Sequence, residues 1–306
     1  MNLRRLGESG LIERTKKILG RFPRVIQGIG DDTAVLPYSK KEVLLFTTDA
    51  VREGTHFTLR EKGLYSKKAT PYQIGWKALG VNLSDIAAMG GKPLYAVVAL
   101  GAPTHLPVSF YDALTRGIKA AARKFGVSVV GGDTDRTERL SVTVALIGTV
   151  EKKRCIFRRG AKVGDPIFVT GMLGGSRRGK HLSFIPRVKE ARILTKNFHL
   201  SSMIDLSDGL ASDIHRICEE SNVGAIIESK SVPLSKGAPL KSALNDGEDF
   251  ELLFTLSPRE AKRLLQKKNR LGFQISEIGR IVTKEKGIRI HIGKTALPLM
   301  GGFRHF

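Results

Sequence analysis

Two rhythms of apolar and polar positions run through this chain. Over 8–19, Leu11, Ile12, Ile18 and Leu19 stand among polar and basic residues at helical spacing, predicting a short amphipathic helix that stops at Gly20. The continuous apolar run 43–48 predicts a buried strand with Asp49 at its end. Thr70-Pro71 then pairs a cap with a first-turn residue, so a helix rich in Ala, Gly and Leu is expected to Met89. A strand over 95–100, a helix from about 107 to 125, a strand over 127–130 and an alternating strand over 140–150 complete a first half. The basic run Lys152-Lys153-Arg154, with Arg158-Arg159-Gly160 after it, reads as the connection between domains, so we divide the chain at 1–150 and 151–306. The second half predicts strands at 166–170 and 202–205, a helix from Asp208-Gly209 to about Glu220 and a strand at 250–256. A helix at 260–268 and strands near 273–281 and 288–292 follow. The mixture is α+β.

Composition narrows the class. At 306 residues with 41% hydrophobic and 26% charged positions, the chain can bury an ordinary core in two domains. No apolar run approaches the roughly 20 residues that cross a bilayer, and the basic start 1–6 lacks the apolar segment of a secretory signal, so no membrane association and a cytoplasmic location are expected. Cys155 and Cys218 stand in unrelated contexts, which supports neither a disulfide framework nor a zinc site. The net charge of +22 raises nucleic acid as a partner. The excess is nevertheless spread over both halves, with 22 Lys+Arg against 13 Asp+Glu in 1–150 and 29 against 16 in 151–306. Without a basic tail or aromatics interleaved with the basic residues, a solvated surface that attracts anionic substrates is the better reading, and no nucleic-acid partner is expected.

The acids carry the chemistry. Of 13 Asp, all but Asp112 and Asp165 fall in or beside a few motifs: Gly28-Ile29-Gly30-Asp31-Asp32-Thr33, Thr47-Thr48-Asp49, Asn82-Leu83-Ser84-Asp85 and Gly131-Gly132-Asp133-Thr134-Asp135 in the first half. Ile204-Asp205-Leu206-Ser207-Asp208-Gly209 and Gly247-Glu248-Asp249 follow in the second. Hard divalent cations such as Mg2+ take oxygen ligands shared between carboxylates and substrate phosphates, while glycines let backbone N–H groups approach a phosphate. Any one motif could be a turn or a cap. Several of them in a chain otherwise poor in acid predict a metal and phosphate site. His56, seven residues after Asp49 and near Gly54, joins them as a ligand candidate. A rival lies at 171–181, where Gly174, Gly179 and Lys180 satisfy most of a P-loop pattern, but His181 replaces the hydroxyl that should hold the metal.

In this order the motifs resemble the thiamine-monophosphate kinases, within the ATP-binding superfamily that includes aminoimidazole ribonucleotide synthetase. The likeness also covers Leu6-Gly7-Glu8, Glu53-Gly54-Thr55-His56-Phe57, 159–165, 247–252 and the terminal Gly302-Phe303-Arg304-His305-Phe306. It implies an N-terminal α+β domain whose sheet pairs with that of a second subunit, and a C-terminal α+β domain over the cleft. It further implies Mg2+-dependent transfer of the ATP γ-phosphoryl group to thiamine phosphate, giving thiamine diphosphate and ADP, in a homodimer. By motif position Asp31, Thr47, Thr48, Asp49, Asp85, Asp133, Asp205 and Asp208 would hold several Mg2+ ions, with Asp49 and Asp133 central to catalysis. Gly132, Asp133, Arg158 (or Arg159) and Ser207 would meet ATP, and His56, Glu248 and Phe303 would meet thiamine phosphate. Asp246 stands where the family usually has a second glycine. The same fold also serves amidine ring closure and selenophosphate-type synthesis; the early reactive Cys that the latter favours is absent.

Overall fold

A computed structural model describes residues 3–20, 22–59 and 67–302. The first half contains α1 (Leu3–Leu19), β1 (Ala34–Pro37), β2 (Glu42–Arg52), α2 (Pro71–Ala88), β3 (Lys92–Ala102), α3 (Val108–Phe125), β4 (Ser128–Arg136) and β5 (Ser141–Glu151). Its five strands form one sheet in the order β1-β2-β5-β3-β4, antiparallel except where β4 runs parallel to β3. α1 is interrupted at Gly7, whose φ of 68° an L side chain rarely adopts.

The sheet packs one face on α2, and alternation along β2 decides what points there. Val43, Leu45, Thr47 and Val51 are buried on that face; Phe46 and Thr48, of opposite parity, are exposed. Register sets Phe46 level with Ile147 and Tyr95, and Thr48 level with Ala145 and Val97. Phe46, Tyr95 and Val97 are 47%, 49% and 43% exposed, so this second face presents an uncovered apolar surface.

α2 begins as its sequence predicts. The Thr70 side chain accepts from Gln73 N, Gln73 returns a bond to the cap, and Pro71 opens the first turn. Nearly every side of the helix is then buried, from Ile74 to Ala88. It lies between the sheet, α3 and the second half, and its Ala87 belongs to a core cluster otherwise made by residues 168–275.

The second half contains β6 (Pro166–Thr170), α4 (Val188–Asn197), β7 (Leu200–Asp205), α5 (Leu210–Ser221), β8 (Gly224–Glu228), α6 (Leu240–Asn245), β9 (Leu252–Leu256), α7 (Pro258–Lys267), β10 (Ile275–Val282), β11 (Ile288–Ile292) and β12 (Thr295–Pro298). Seven strands make one sheet, in the order β12-β11-β8-β10-β6-β9-β7. Among the described residues no helix is long and apolar enough to cross a membrane.

Several expectations shift. β2 continues to Arg52, so Asp49 sits within a strand rather than at its end. Residues 131–133 are likewise part of β4 and not a loop after it. The structure adds β1, α4, α6, β8 and β12, which the apolar pattern did not single out.

Candidate active site

A cavity of about 1340 Å³ opens between residues 28–36, β2, the C-terminal part of α2, α5 and the turn 246–250. Three carboxylates from distant parts of the chain meet on its wall. Asp32 comes from the glycine-rich loop before β1, Asp85 from the last turn of α2 and Asp205 from the end of β7, with one oxygen of each within 4.8 Å of the others. Their neighbours fix them. Arg158 donates to Asp32 Oδ1 at 2.6 Å, the Thr47 hydroxyl to Asp85 Oδ2 at 2.5 Å and the Ser84 hydroxyl to Asp205 Oδ2 at 2.6 Å.

Such crowding suits a cation. Burial, then the charge of Asp32, pushes Asp205 up to about 7. Burial, followed by Asp49 and Asp205, pushes Asp85 well above the carboxylate range. Asp31 also rises to about 7, through burial and then Asp32. Burial opposes the Arg158 charge, but Asp32, Asp31 and Asp205 hold its pKa above the ordinary value. Among the described residues Asp32 Oδ2 and the Thr33 hydroxyl are buried without a hydrogen-bond partner. Oxygen-only donors, mutual repulsion and an orphaned carboxylate oxygen together fit a hard divalent ion.

Here the structure corrects the motif assignment. Asp32, not Asp31, converges with Asp85 and Asp205. Asp31 lines the cavity, but its carboxylate accepts from the backbone N–H of Asp32 at 3.1 Å and of Arg158 at 3.3 Å, which ties the loop down. Asp49 shares the parity of Thr47, lines the cavity and adds to the repulsion on Asp85. Ser207 and Asp208 also line it, Asp208 paired with Arg216, which in turn meets the fully buried Asp213 at 2.9 Å. Thr48 also lines the cavity, but from the opposite side of β2 to Thr47: its hydroxyl donates to Val144 O at 3.0 Å and does not join the three carboxylates. Gly132 and Asp133 lie apart too. They belong to β4, the edge strand exposed along its whole length, and neither lines the cavity within this chain.

The carbonyl of His56 and Oε1 of Glu248 both accept from Lys77 Nζ at 2.6 Å, and both residues line the cavity. Phe303 lies outside the described residues; the chain leads toward it with Gly302 N donating to Asn245 Oδ1 at 3.0 Å. Arg158 rather than Arg159 reaches the cavity, since the Arg159 guanidinium lies over the Phe157 ring at 4.3 Å. The P-loop rival dissolves. Residues 171–182 make two single-turn 3-10 segments with no helix behind them, and Lys180 pairs with buried Asp249 at 2.8 Å, off the cavity. Sequence reasoning missed Asp32 as the converging acid, and it missed Lys77, Arg216 and Asp213. A lysine inside a small-residue helix is the signal that could have found Lys77.

Comparison with known proteins decides the family. The model of the AIR synthase related protein N-terminal domain matches residues 30–150, and that of its C-terminal domain matches 162–292. A thiamine-monophosphate kinase from Aquifex aeolicus is 34% identical over the full length of both chains, and one from Rhodopirellula baltica is 36% identical over 86% of this chain and 85% of its own. The chain belongs to the thiamine-monophosphate kinase family. A solved member, AaThiL complexed with AMPPCP and TMP, superposes with a TM-score of 0.85 at 31% identity, covering 100% of this chain and 99% of its own. The Escherichia coli hydrogenase maturation protein HypE, at 20% identity and a TM-score of 0.70, shares the fold.

Proposed function

We propose that this cavity is where the γ-phosphoryl group of ATP passes to thiamine phosphate, giving thiamine diphosphate and ADP. One observation carries the reading: Asp32, Asp85 and Asp205, from three separate elements, converge beside Arg158 in a chain of this kinase family. Mg2+ bound there would neutralise the phosphate charges that transfer brings together. Asp32, Asp49, Asp85, Asp205 and Asp208, with the Thr47 hydroxyl, supply its oxygens, and Arg158 and Ser207 meet the nucleotide. The acceptor phosphate is already ionised, so the site needs no dedicated general base. Its residues position two anions and lower their repulsion. His56, Glu248 and Phe303 receive thiamine phosphate, where a carboxylate and an aromatic face suit the positive thiazolium.

The uncovered sheet face enters the same reading. A second copy covers Phe46, Tyr95 and Val97, and the contacts of Thr48, Gly132 and Asp133 with nucleotide and metal form in that homodimer. The N-terminal half, 1–150, then provides nucleotide binding and dimerisation, and 151–306 closes the cleft. The decisive measurement is ADP release with thiamine phosphate as acceptor. It should require Mg2+, and Asp32→Asn and Asp49→Asn should each lower kcat by about 100-fold or more with the fold intact. Turnover kept in both variants would refute the metal-site reading.

A further inference from the structure

Lys77, the seventh of the 18 residues of α2, is buried with no side-chain exposure. A lone buried ammonium is costly, and a well-packed apolar side chain of similar volume would usually serve stability as well or better. What the charge does here is join two segments far apart in the chain. Nζ donates at 2.6 Å to the carbonyl of His56, 21 residues away, and at 2.6 Å to Glu248 Oε1, 171 residues away. Glu248 is 13% exposed at its side chain and faces the cavity; Lys77 does not line it.

The segment Lys77 grips is strained. Glu248 has φ 56° and Phe250 φ 51°; among the described non-glycine residues only Asn222, a helix C-cap, shares a positive φ. Conformations of this sort persist where surroundings over-determine them, and they concentrate at ligand clamps. The surroundings do so here. Glu248 N donates to Ser207 O at 2.6 Å, Phe250 N to Leu206 O at 2.9 Å, and the Phe250 ring stacks on Phe184 with centroids 4.1 Å apart. Those bonds fix the backbone; Lys77 fixes the carboxylate. Burial lowers the Lys77 pKa, and the charge and hydrogen bond of Glu248 oppose that shift.

We propose that Lys77 is a positioning residue for the acceptor: it aims the Glu248 carboxylate and anchors the His56 segment from behind, so that both present one preformed surface to thiamine phosphate. The inference rests on the reading that His56 and Glu248 meet the acceptor, and the test separates the two. Lys77→Met, Glu248→Gln and the double variant are compared for KM toward thiamine phosphate, KM toward ATP and kcat. Lys77→Met should raise the acceptor KM by about 10-fold or more while KM for ATP stays within about twofold, a split that general loss of stability does not produce. In the Glu248→Gln background the same substitution should add little, because both act through one carboxylate.

If Glu248→Gln raises the acceptor KM and Lys77→Met does not, the Lys77 role is overturned while the acceptor reading stands. An unchanged acceptor KM in Glu248→Gln overturns both. Should Lys77→Met fail to fold, Lys77→Gln, which keeps an N–H donor without the charge, carries the same comparison. Failure of both to fold would make Lys77 a stability element and overturn the proposal.

Discussion

Lys180 and Asp31 show how far a short pattern can be trusted at the scale of single residues. Both occupy motif positions that invite a ligand role, and both are used otherwise. Lys180 is held by Asp249, whose carboxylate also accepts from Gly174 N at 2.9 and 3.0 Å, so the apparent phosphate loop is pinned to its own protein. Lys180→Ala should therefore cost about 1–3 kcal/mol of stability by stranding a buried carboxylate, and ATP affinity should change by less than about twofold. A denaturant titration with nucleotide-binding isotherms checks this; a collapse of ATP affinity in folded protein would restore the P-loop reading. Asp31 and Asp32 are adjacent and chemically alike, and only the path of the backbone turns one to the loop and the other to the cluster. Burial and hydrogen bonding, not residue type, separate them.

At the scale of elements, α2 organises the site because it can be approached closely. A Cβ on Gly75 would stand 2.0 Å from Leu114 O, and one on Gly117 would stand 2.0 Å from Tyr72 O, so α2 and α3 cross backbone against side-chain-free backbone. Gly117→Ala should push the helices apart and cost about 1–3 kcal/mol, occasionally more, by overpacking. It should also disturb the site, since α2, the helix it would displace, carries Lys77, Ser84 and Asp85. Urea unfolding and KM for both substrates would show it. A stability within a few tenths of a kcal/mol of the parent chain would contradict so close a crossing. The cap Thr70-Pro71 and the start of β6 were legible because local chemistry fixes them. α6, of six residues, and β12, exposed throughout, carry too little apolar periodicity to be read from the chain.

Two expectations belong to the whole molecule. The first follows from proton linkage. Asp31 and Asp205 have folded pKa values raised to about 7 from 3.8, with burial as the leading cause. Between those values the native chain holds more protons than the unfolded one, so in the absence of a divalent ion its stability falls as pH rises through that window. A cation bound at the cluster takes the place of the Asp205 proton and, by offsetting the Asp32 charge, lowers the pKa of neighbouring Asp31 as well. The Tm gain produced by excess Mg2+ over chelator should thus be small near pH 5 and grow toward pH 8. His181 works in the opposite sense, its lowered pKa favouring the fold above the ordinary histidine range, but it contributes equally in both arms and cancels. A Tm gain independent of pH would count against the cluster as a cation site. The second concerns assembly. Val97→Glu places a charge in the uncovered face of the sheet, at a residue already 43% exposed, and should leave the fold intact while shifting sedimentation from dimer to monomer and reducing turnover. A variant that sediments and turns over like the parent would remove this face from the active assembly.

The sequence by itself determined the α+β class, most helices and strands, and the set of acidic motifs, because period, caps and composition are local properties of the chain. It also fixed the family, since many motifs in one order rarely recur by chance. The tertiary structure decided which acids meet. Asp32, Asp85 and Asp205 are brought within one ion's reach by the crossing of a loop, a helix and a strand, Thr48 is turned away by the two-residue period of β2, and Asp133 is carried to the sheet edge by strand order. A lysine in a small-residue helix could be noticed in the sequence, but what Lys77 joins could not, because its partners lie 21 and 171 residues away. Side-chain direction and long-range contact are set by packing, and no local pattern records them.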